Sequence, residues 1–467
     1  MDIAALRELY PQYEAQLLEW LTYPSISAQP PSPQAMEDCA RWTAAAMRRA
    51  GLTAVEILPT LGHPAVLGRS EVRPDRPTVL IYGHYDVQPV DPVDLWETPP
   101  FAPRLAHDRV YARGASDDKG QVMVQLAALD ALYRQEGCLP VNVVMLVEGE
   151  EEIGSPHLRS ILLDQVLPCR PHLAVVSDTA MWAEGVPAIT TGLRGMTLLD
   201  VTLTGPQRDL HSGTYGGAVA NPLEVLSRLL AGLKDADGTI NIPGFLDTVR
   251  PMTAKERAEL ARVPFDEAAY RQDLGVAALE GGEWQRPVLE RLWFRPTLEI
   301  NGMWGGFQGA GSKTVLPAQA HAKLSMRLVP DQDPQDIADL VASALRQRAP
   351  ASVQVAVHRH PGGGRAVVVD EGCLGLDLAR QALEQSFAHP ALLIREGASI
   401  PVVADFKQLL GVDTLLIGFA LPDCRAHSPN ESLHLPTFRA GIASMVRFYH
   451  GLAAIPDWQR ATDPSTD

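Results

Sequence analysis

The sequence predicts an α/β fold, with a mostly parallel central sheet flanked by helices and interrupted by an inserted α+β domain. Three observations point there. Short aliphatic runs alternate with helical patterns through the first two hundred residues, acids and histidines gather where those runs end, and the patterning changes near residue 192.

The runs TVLIYGHYDV (78–87), VNVVMLVEGE (141–150) and LAVVSD (173–178) read as buried strands, each with an apolar stretch unbroken by polar residues. Between the first two, Val122, Leu126, Leu129 and Tyr133 fall at i, i+4, i+7 and i+11, one face of a helix. Strands alternating with helices build a parallel sheet covered by helices. Chemistry in such sheets gathers beyond the carboxyl ends of the strands, and His84, Asp86, the Glu150–Glu152 run and Asp178 stand there.

Past residue 192, RGMTLLDVTLTG (194–205) and AQAHAKLSMRLVP (318–330) alternate like half-exposed strands. NPLEVLSRLLAGLKD (221–235) and DPQDIADLVASALRQ (333–347) are amphipathic helices, and the four together suit a small α+β layer. HPGGGR (360–365) reads as the exit linker, after which LGLDLARQALEQSF (374–387) and DTLLIGFA (413–420) return to the first pattern. The expected domains are residues 1–191 with 366–467, and an insertion over 192–365; a frayed polar tail is expected beyond about residue 458.

A chain of 467 residues is too long for one ordinary core, which agrees with two domains. The composition, 46% hydrophobic and 21% charged, is that of a globular protein. A net charge of -16 argues against nucleic acid, whose phosphates need a basic surface. Cys39, Cys138, Cys169, Cys373 and Cys424 are odd in number and form no CxxC pair, which suits free thiols in a reducing compartment. No apolar run approaches the ~18 residues of a membrane helix. The first 21 residues read as an amphipathic helix rather than a signal peptide, so the expected location is the cytoplasm.

His84 and Asp86, two apart on a strand, point to the same side; alone, such a pair is more often an ordinary surface pair. RGASDDKGQ (113–121) sets Asp117 and Asp118 before a helix, where an Asp pair is often only an N-cap. VEGEEEIGS (147–155) places Glu150, Glu151 and Glu152 after a strand, SDT (177–179) ends the next strand, and AHSPNE (426–431) adds His427 in a polar loop. Together, two histidines and several carboxylates without a thiolate suit zinc, manganese or cobalt. Two such ions ~3.5–4 Å apart polarise a carbonyl and activate a water, an aspartate bridging them and a glutamate taking the proton.

The order HYD, ASDDKG, EEEIGS, SD and AHS resembles the dinuclear metallopeptidases that include aminoacylase, acetylornithine deacetylase and carnosinase. DLHSGTYGG (209–217), GSKTVLP (311–317), KLSMRLVP (323–330) and REGASIP (395–401) are similar to the cytosolic non-specific dipeptidase and carnosinase branch. The resemblance implies that His84 and Asp178 bind one metal, Glu152 and His427 the other, with Asp117 bridging and Asp86 orienting His84. It implies Glu151 as general base, and a peptide bond between Asp117 and Asp118 that is often cis in the family. Three acids compete for two roles; the pattern EExGS selects Glu151 and Glu152 and leaves Glu150 outside. Two divalent ions per subunit follow, Zn2+ first, with Mn2+ or Co2+ as alternatives.

In the inserted domain, read as a lid and dimerisation domain, the resemblance implies that His211 reaches the active site of the other subunit of a homodimer and stabilises an oxyanion. Its bland alternative is a loop histidine capping local backbone. Arg327 could grip a substrate carboxylate through two hydrogen bonds, or only form a surface salt bridge. Gly397, Ala398 and Ser399 could offer amides and a hydroxyl to the same carboxylate, and Thr314 a further hydrogen bond. GGFQGAGSKT (305–314) imitates a phosphate loop, but Ser312 separates Gly311 from Lys313 and breaks the motif.

The implied function is metal-dependent hydrolysis of dipeptides or short peptides with a free carboxyl end. An N-acyl-amino-acid deacylase of the acetylornithine deacetylase or succinyl-diaminopimelate desuccinylase type is the alternative within the same chemistry. A silent metal or peptide binder fits poorly with a full ligand set, and an oxidoreductase fits worse without GxGxxG after the first strand.

Overall fold

The computed structural model describes residues 3–28, 33–360, 363–370, 372–397 and 400–455. Its contacts divide the chain into a first unit of Met1–Thr191, Val369–Ile394 and Asp405–Asp467, and a second of Gly192–Val368 and Arg395–Ala404. The polar tail beyond residue 458 lies outside the described residues.

The main strands in chain order are β1 (Ala54–Leu58), β2 (Ala65–Arg69), β3 (Thr78–His84), β4 (Asn142–Glu148), β5 (Leu173–Val176), β6 (Ala188–Leu193), β7 (Gly195–Thr204), β8 (Thr297–Gly305), β9 (Gln319–Leu328), β10 (Gln354–Arg359) and β11 (Thr414–Leu416). The main helices are α1 (Ile3–Trp20), α2 (Pro33–Arg49), α3 (Lys119–Glu136), α4 (Pro222–Ala231), α5 (Pro334–Arg348), α6 (Leu376–Phe387) and α7 (Leu435–Ala453).

In the first unit seven strands of a nine-stranded sheet run β1-β2-β4-β3-β5-β11-β6. Its centre, β4-β3-β5-β11, is parallel, while β1, β2 and β6 join antiparallel. The α/β class holds, with a mixed sheet: β1 and β2 are joined by a connection too short for a crossover helix, which makes an antiparallel pair. Val79, Ile81, Val143, Met145 and Val147 alternate into one core with α1, α3 and α7, and every residue of β3 and β4 is buried.

Helix α3 differs from the single apolar face read in the sequence. Every residue from Lys119 to Leu132 is buried, whereas Tyr133 is exposed. The helix is enclosed by the sheet, α1 and α7, so its polar residues are paired inside: Gln125 donates to Ser177 Oγ and accepts from Tyr449 Oη, and Gln121 donates to Ser116 O. Gly83 permits the close approach, since a Cβ there would lie 2.4 Å from Val122 Cγ2.

The second unit is an antiparallel sheet ordered β8-β9-β7-β10. The alternation of β9 places Ala320, Ala322, Leu324, Met326 and Leu328 in a core with α4 and α5. Asn221 and Asp333 cap these helices with their side chains. Strands β8 and β10 add to the two strands expected here. Glycines and a register shift near Asn301 blur β8 as a sequence pattern.

Candidate metal centre

Strands β4, β3 and β5 run in parallel register, Leu146 beside Tyr82 and Tyr82 beside Val176, so their carboxyl ends are level. His84 closes β3, Asp178 follows β5 by two residues, and Glu151 and Glu152 open a 3-10 turn after β4. Asp117 and Asp118 lie just before α3, joined by a cis peptide bond. His427, with φ of 59° in the left-handed region, belongs to a loop that leads into Ser432–His434. That segment pairs with Arg109–Tyr111 just upstream of the aspartates.

Asp117 stands between the two imidazoles. Its Oδ1 lies 3.2 Å from His84 Nε2 and its Oδ2 2.7 Å from His427 Nε2. Asp178 Oδ2 is 3.9 Å from His84 Nε2, and Glu152 Oε2 is 3.5 Å from His427 Nε2. Gln88 Nε2 donates to the same Glu152 oxygen at 2.6 Å. On the other side of the His84 ring, Nδ1 is 3.0 Å from the Asp86 carbonyl and 3.4 Å from its Oδ1.

Asp86 does more than face that ring. Its carboxylate accepts from Glu151 N at 3.2 Å, Glu152 N at 3.1 Å and Ser27 Oγ at 2.6 Å. It therefore ties the glutamate turn to the histidine strand. Glu150 turns away from the cluster: its carboxylate accepts from His63 N at 3.0 Å and lies 2.8 Å from His157 Nδ1.

The charges are crowded. Burial opposes a charge on His84, but the Asp117 and Asp86 carboxylates outweigh it and hold the ring well above the usual imidazole range. Asp117 is likewise penalised by burial, yet the His427 and His84 imidazoles beside it draw it below its ordinary value. His427 is raised, chiefly by Asp117. Burial, then neighbouring acids, raise Glu151, Glu152 (to about 7), Asp118 and Asp178.

The donor atoms form two groups among the described residues: His84, Asp118 and Asp178, and Asp117, Glu152 and His427. His84 Nε2, Glu152 Oε1 and Asp118 Oδ1 are buried there without a hydrogen-bond partner. His84 Nε2 is near Asp117, but without the alignment of a hydrogen bond. Imidazoles, crowded carboxylates and orphaned inward lone pairs are a donor set that fits divalent cations. Asp118 is the unforeseen member of this set. The sequence offered it as a possible helix cap, yet its side chain makes no capping bond, and Oδ2 instead accepts from His84 N at 3.3 Å.

The second unit holds the other candidates. His211 and Val315 pair on a two-stranded ladder, and Ser212 N donates to Thr314 O, so His211 and Thr314 are neighbours. The His211 ring is exposed, and its Nδ1 accepts from Gly213 N at 3.1 Å, the capping contact of its bland reading. Arg327 is half-buried on β9 between Thr297 and Met196. Arg194, which sequence reading passed over, donates to Gly397 O at 3.2 Å and lies near enough to Arg327 for its charge to be felt. A Cβ on Gly397 would lie 2.6 Å from Arg194 Nη2. Ala398 and Ser399 lie outside the described residues.

Ser27, Gln88 and Glu431 also escaped the sequence reading. Only Glu431 had a local signal, as the last residue of AHSPNE. Its buried carboxylate accepts from Arg113 Nη1 and from Gly114 N, Ser116 N and Asp117 N at 2.8–3.0 Å.

Comparison with known proteins places the chain in a family. A family model described as Peptidase family M20/M25/M40 matches residues 80–450. The Cys-Gly metallodipeptidase DUG1 of Candida albicans is 31% identical over 95% of this chain and 95% of its own. The human Beta-Ala-His dipeptidase is 29% identical over 95% of this chain and 90% of its own. The solved M20 family metallo-carboxypeptidase Sso-CP2 from Sulfolobus solfataricus superposes with a TM-score of 0.81 at 29% identity, covering 95% of this chain and 99% of that one.

Proposed function

Because the chain belongs to the peptidase family M20/M25/M40, we propose that it is a dinuclear metal-dependent dipeptidase, hydrolysing dipeptides or short peptides with a free carboxyl end. The observation that carries the reading is Asp117, whose two oxygens face His84 and His427 separately. Two similar relatives are dipeptidases for different substrates, Cys-Gly and Beta-Ala-His, which supports the reaction more than any particular side-chain preference.

His84 and Asp178 would hold one cation and Glu152 and His427 the other, with Asp117 shared. Zn2+ suits these donors first, and Mn2+ or Co2+ also match them. Bound there, the ions supply Lewis acidity, polarising the scissile carbonyl and making the attacking water acidic near neutral pH. Glu151 takes the proton of that water and delivers it to the leaving amine. Asp86 keeps Glu151 in place through its backbone amide and keeps the His84 ring oriented.

The second unit serves as a lid and dimerisation domain. Arg327, Thr314, Gly397 and Ser399 receive the substrate carboxylate, and His211 stabilises the oxyanion from the partner of a homodimer. Among the described residues no helix is long and apolar enough to cross a membrane, and all five cysteines are free. We place the enzyme in the cytoplasm because free thiols suit a reducing compartment.

The test is a metal-stripped preparation reloaded with Zn2+, Mn2+ or Co2+ and offered dipeptides beside N-acetyl and N-succinyl amino acids. Cation-dependent cleavage of dipeptides alone is the expected result. Preference for the acylated amino acids would replace the reading with a deacylase, and two bound metals without any cleavage would end the enzyme reading.

A further inference from the structure

We infer that Glu431 is a positioning residue that sets Asp117 and the His427 loop in place before any cation binds; this rests on the reading of the cluster as a metal centre. Glu431 stands four residues after His427, at the start of the segment that pairs with Arg109–Tyr111. It is fully buried. Its Oε1 accepts from Ser116 N at 2.8 Å and Asp117 N at 3.0 Å, and its Oε2 from Arg113 Nη1 at 2.8 Å and Gly114 N at 2.9 Å. One carboxylate thus gathers three amides of the loop that ends in Asp117. It does so from the same loop that presents His427.

The charge of Glu431 is held on its other side. Arg113 is buried, donates from Nη2 to Pro89 O at 3.0 Å, and lies 5.4 Å over the Trp96 ring. Packing therefore fixes the guanidinium before it meets the carboxylate. Ser116 Oγ adds a second tie between the loops by donating to Ser432 O at 2.9 Å.

This geometry makes a neutral replacement unusually revealing. In a glutamine one of the two oxygens becomes an NH2 group, and either orientation points it at two donors. Glu431→Gln keeps the volume, breaks two of the four hydrogen bonds and frees the Asp117 loop. Partners that orient metal ligands typically carry about 10–100-fold in affinity.

The test measures cation stoichiometry and affinity by chelator competition in wild type, Glu431→Gln and Arg113→Lys, with thermal melts and with kcat and KM measured separately. Glu431→Gln should bind at least one cation about 10–100-fold more weakly at temperatures well below its melt, lowering kcat more than it changes KM. Arg113→Lys leaves three amides on Glu431 and should melt earlier while keeping most of that affinity. Unchanged affinity and kcat in folded Glu431→Gln would overturn the inference, as would an equal loss in Arg113→Lys. If Glu431→Gln does not fold, amide exchange in metal-free wild type decides. Protection of Gly114, Ser116 and Asp117 is expected there, and fast exchange that slows only after cation addition would overturn it. Wild type that binds no cation would instead sink the metal reading itself.

Discussion

Replacing Glu151 with glutamine preserves its size and removes its capacity to take a proton. The cations keep their ligands, so kcat should fall by about 10²–10⁴ while metal content stays at the wild-type level. Glu150→Gln is the control, because that carboxylate serves His63 N and His157 rather than the cluster. Its expected cost is stability, about 1–3 kcal/mol for a disturbed buried hydrogen bond, with kcat nearly intact. Loss of turnover with metal retained at Glu150 would reverse these assignments. His84, Asp86, Asp178 and the glutamates were legible because parallel strands deliver their last residues to one edge, and a sequence shows where strands end. Ser27 and Glu431 were not legible as partners. Ser27 is 59 residues from Asp86, and Glu431 is 314 from Asp117, so only the folded chain gives them a role.

Elements were legible in proportion to how cleanly one face is buried. Strand β9 and helix α5 alternate against a single core, and both were located within a residue or two. The short helix at Ala254–Arg262 buries none of its residues, so it has no apolar stripe to read. It is held instead by a capping box between Thr253 and Glu256. Glu256 also accepts from Arg250 at 2.9 and 3.1 Å and pairs with the buried Arg395. Burial pushes this carboxyl up, but Arg250, the Thr253 amide and Arg395 outweigh it and hold it at about 2, against an ordinary 4.5. A folded-state pKa below the unfolded one adds stability that is complete above about pH 4.5 and vanishes as pH falls to about 2. Glu256→Gln keeps the cap, which glutamine can also form, but weakens the partly exposed ion pairs, so it should lower stability at neutral pH by about 0.2–1 kcal/mol, read as a lower melting temperature. The gap from wild type should close across that acid window. A gap of constant size from neutral pH to pH 2 would mean that the charge of Glu256 contributes nothing.

At the scale of the whole molecule, the candidate metal donors all belong to the first unit, and the residues proposed to meet the substrate carboxylate and oxyanion belong to the second. That division makes the proposed homodimer a question about activity as well as assembly. The His211 ring is exposed, with Nδ1 occupied by Gly213 N, so Nε2 is the nitrogen left to act as a donor. If it acts across subunits, His211→Ala and Glu151→Gln are each inactive alone, because every site then lacks either the donor or the base. A mixed dimer holds one site with both defects and one with neither. Random reassortment of equal amounts makes half the dimers mixed, so recovery should approach about a quarter of wild-type activity. Dilution to monomer should remove turnover while both cations stay bound. If mixing restores no activity although the subunits demonstrably exchange, each chain builds its site alone, and His211 keeps only its local capping role.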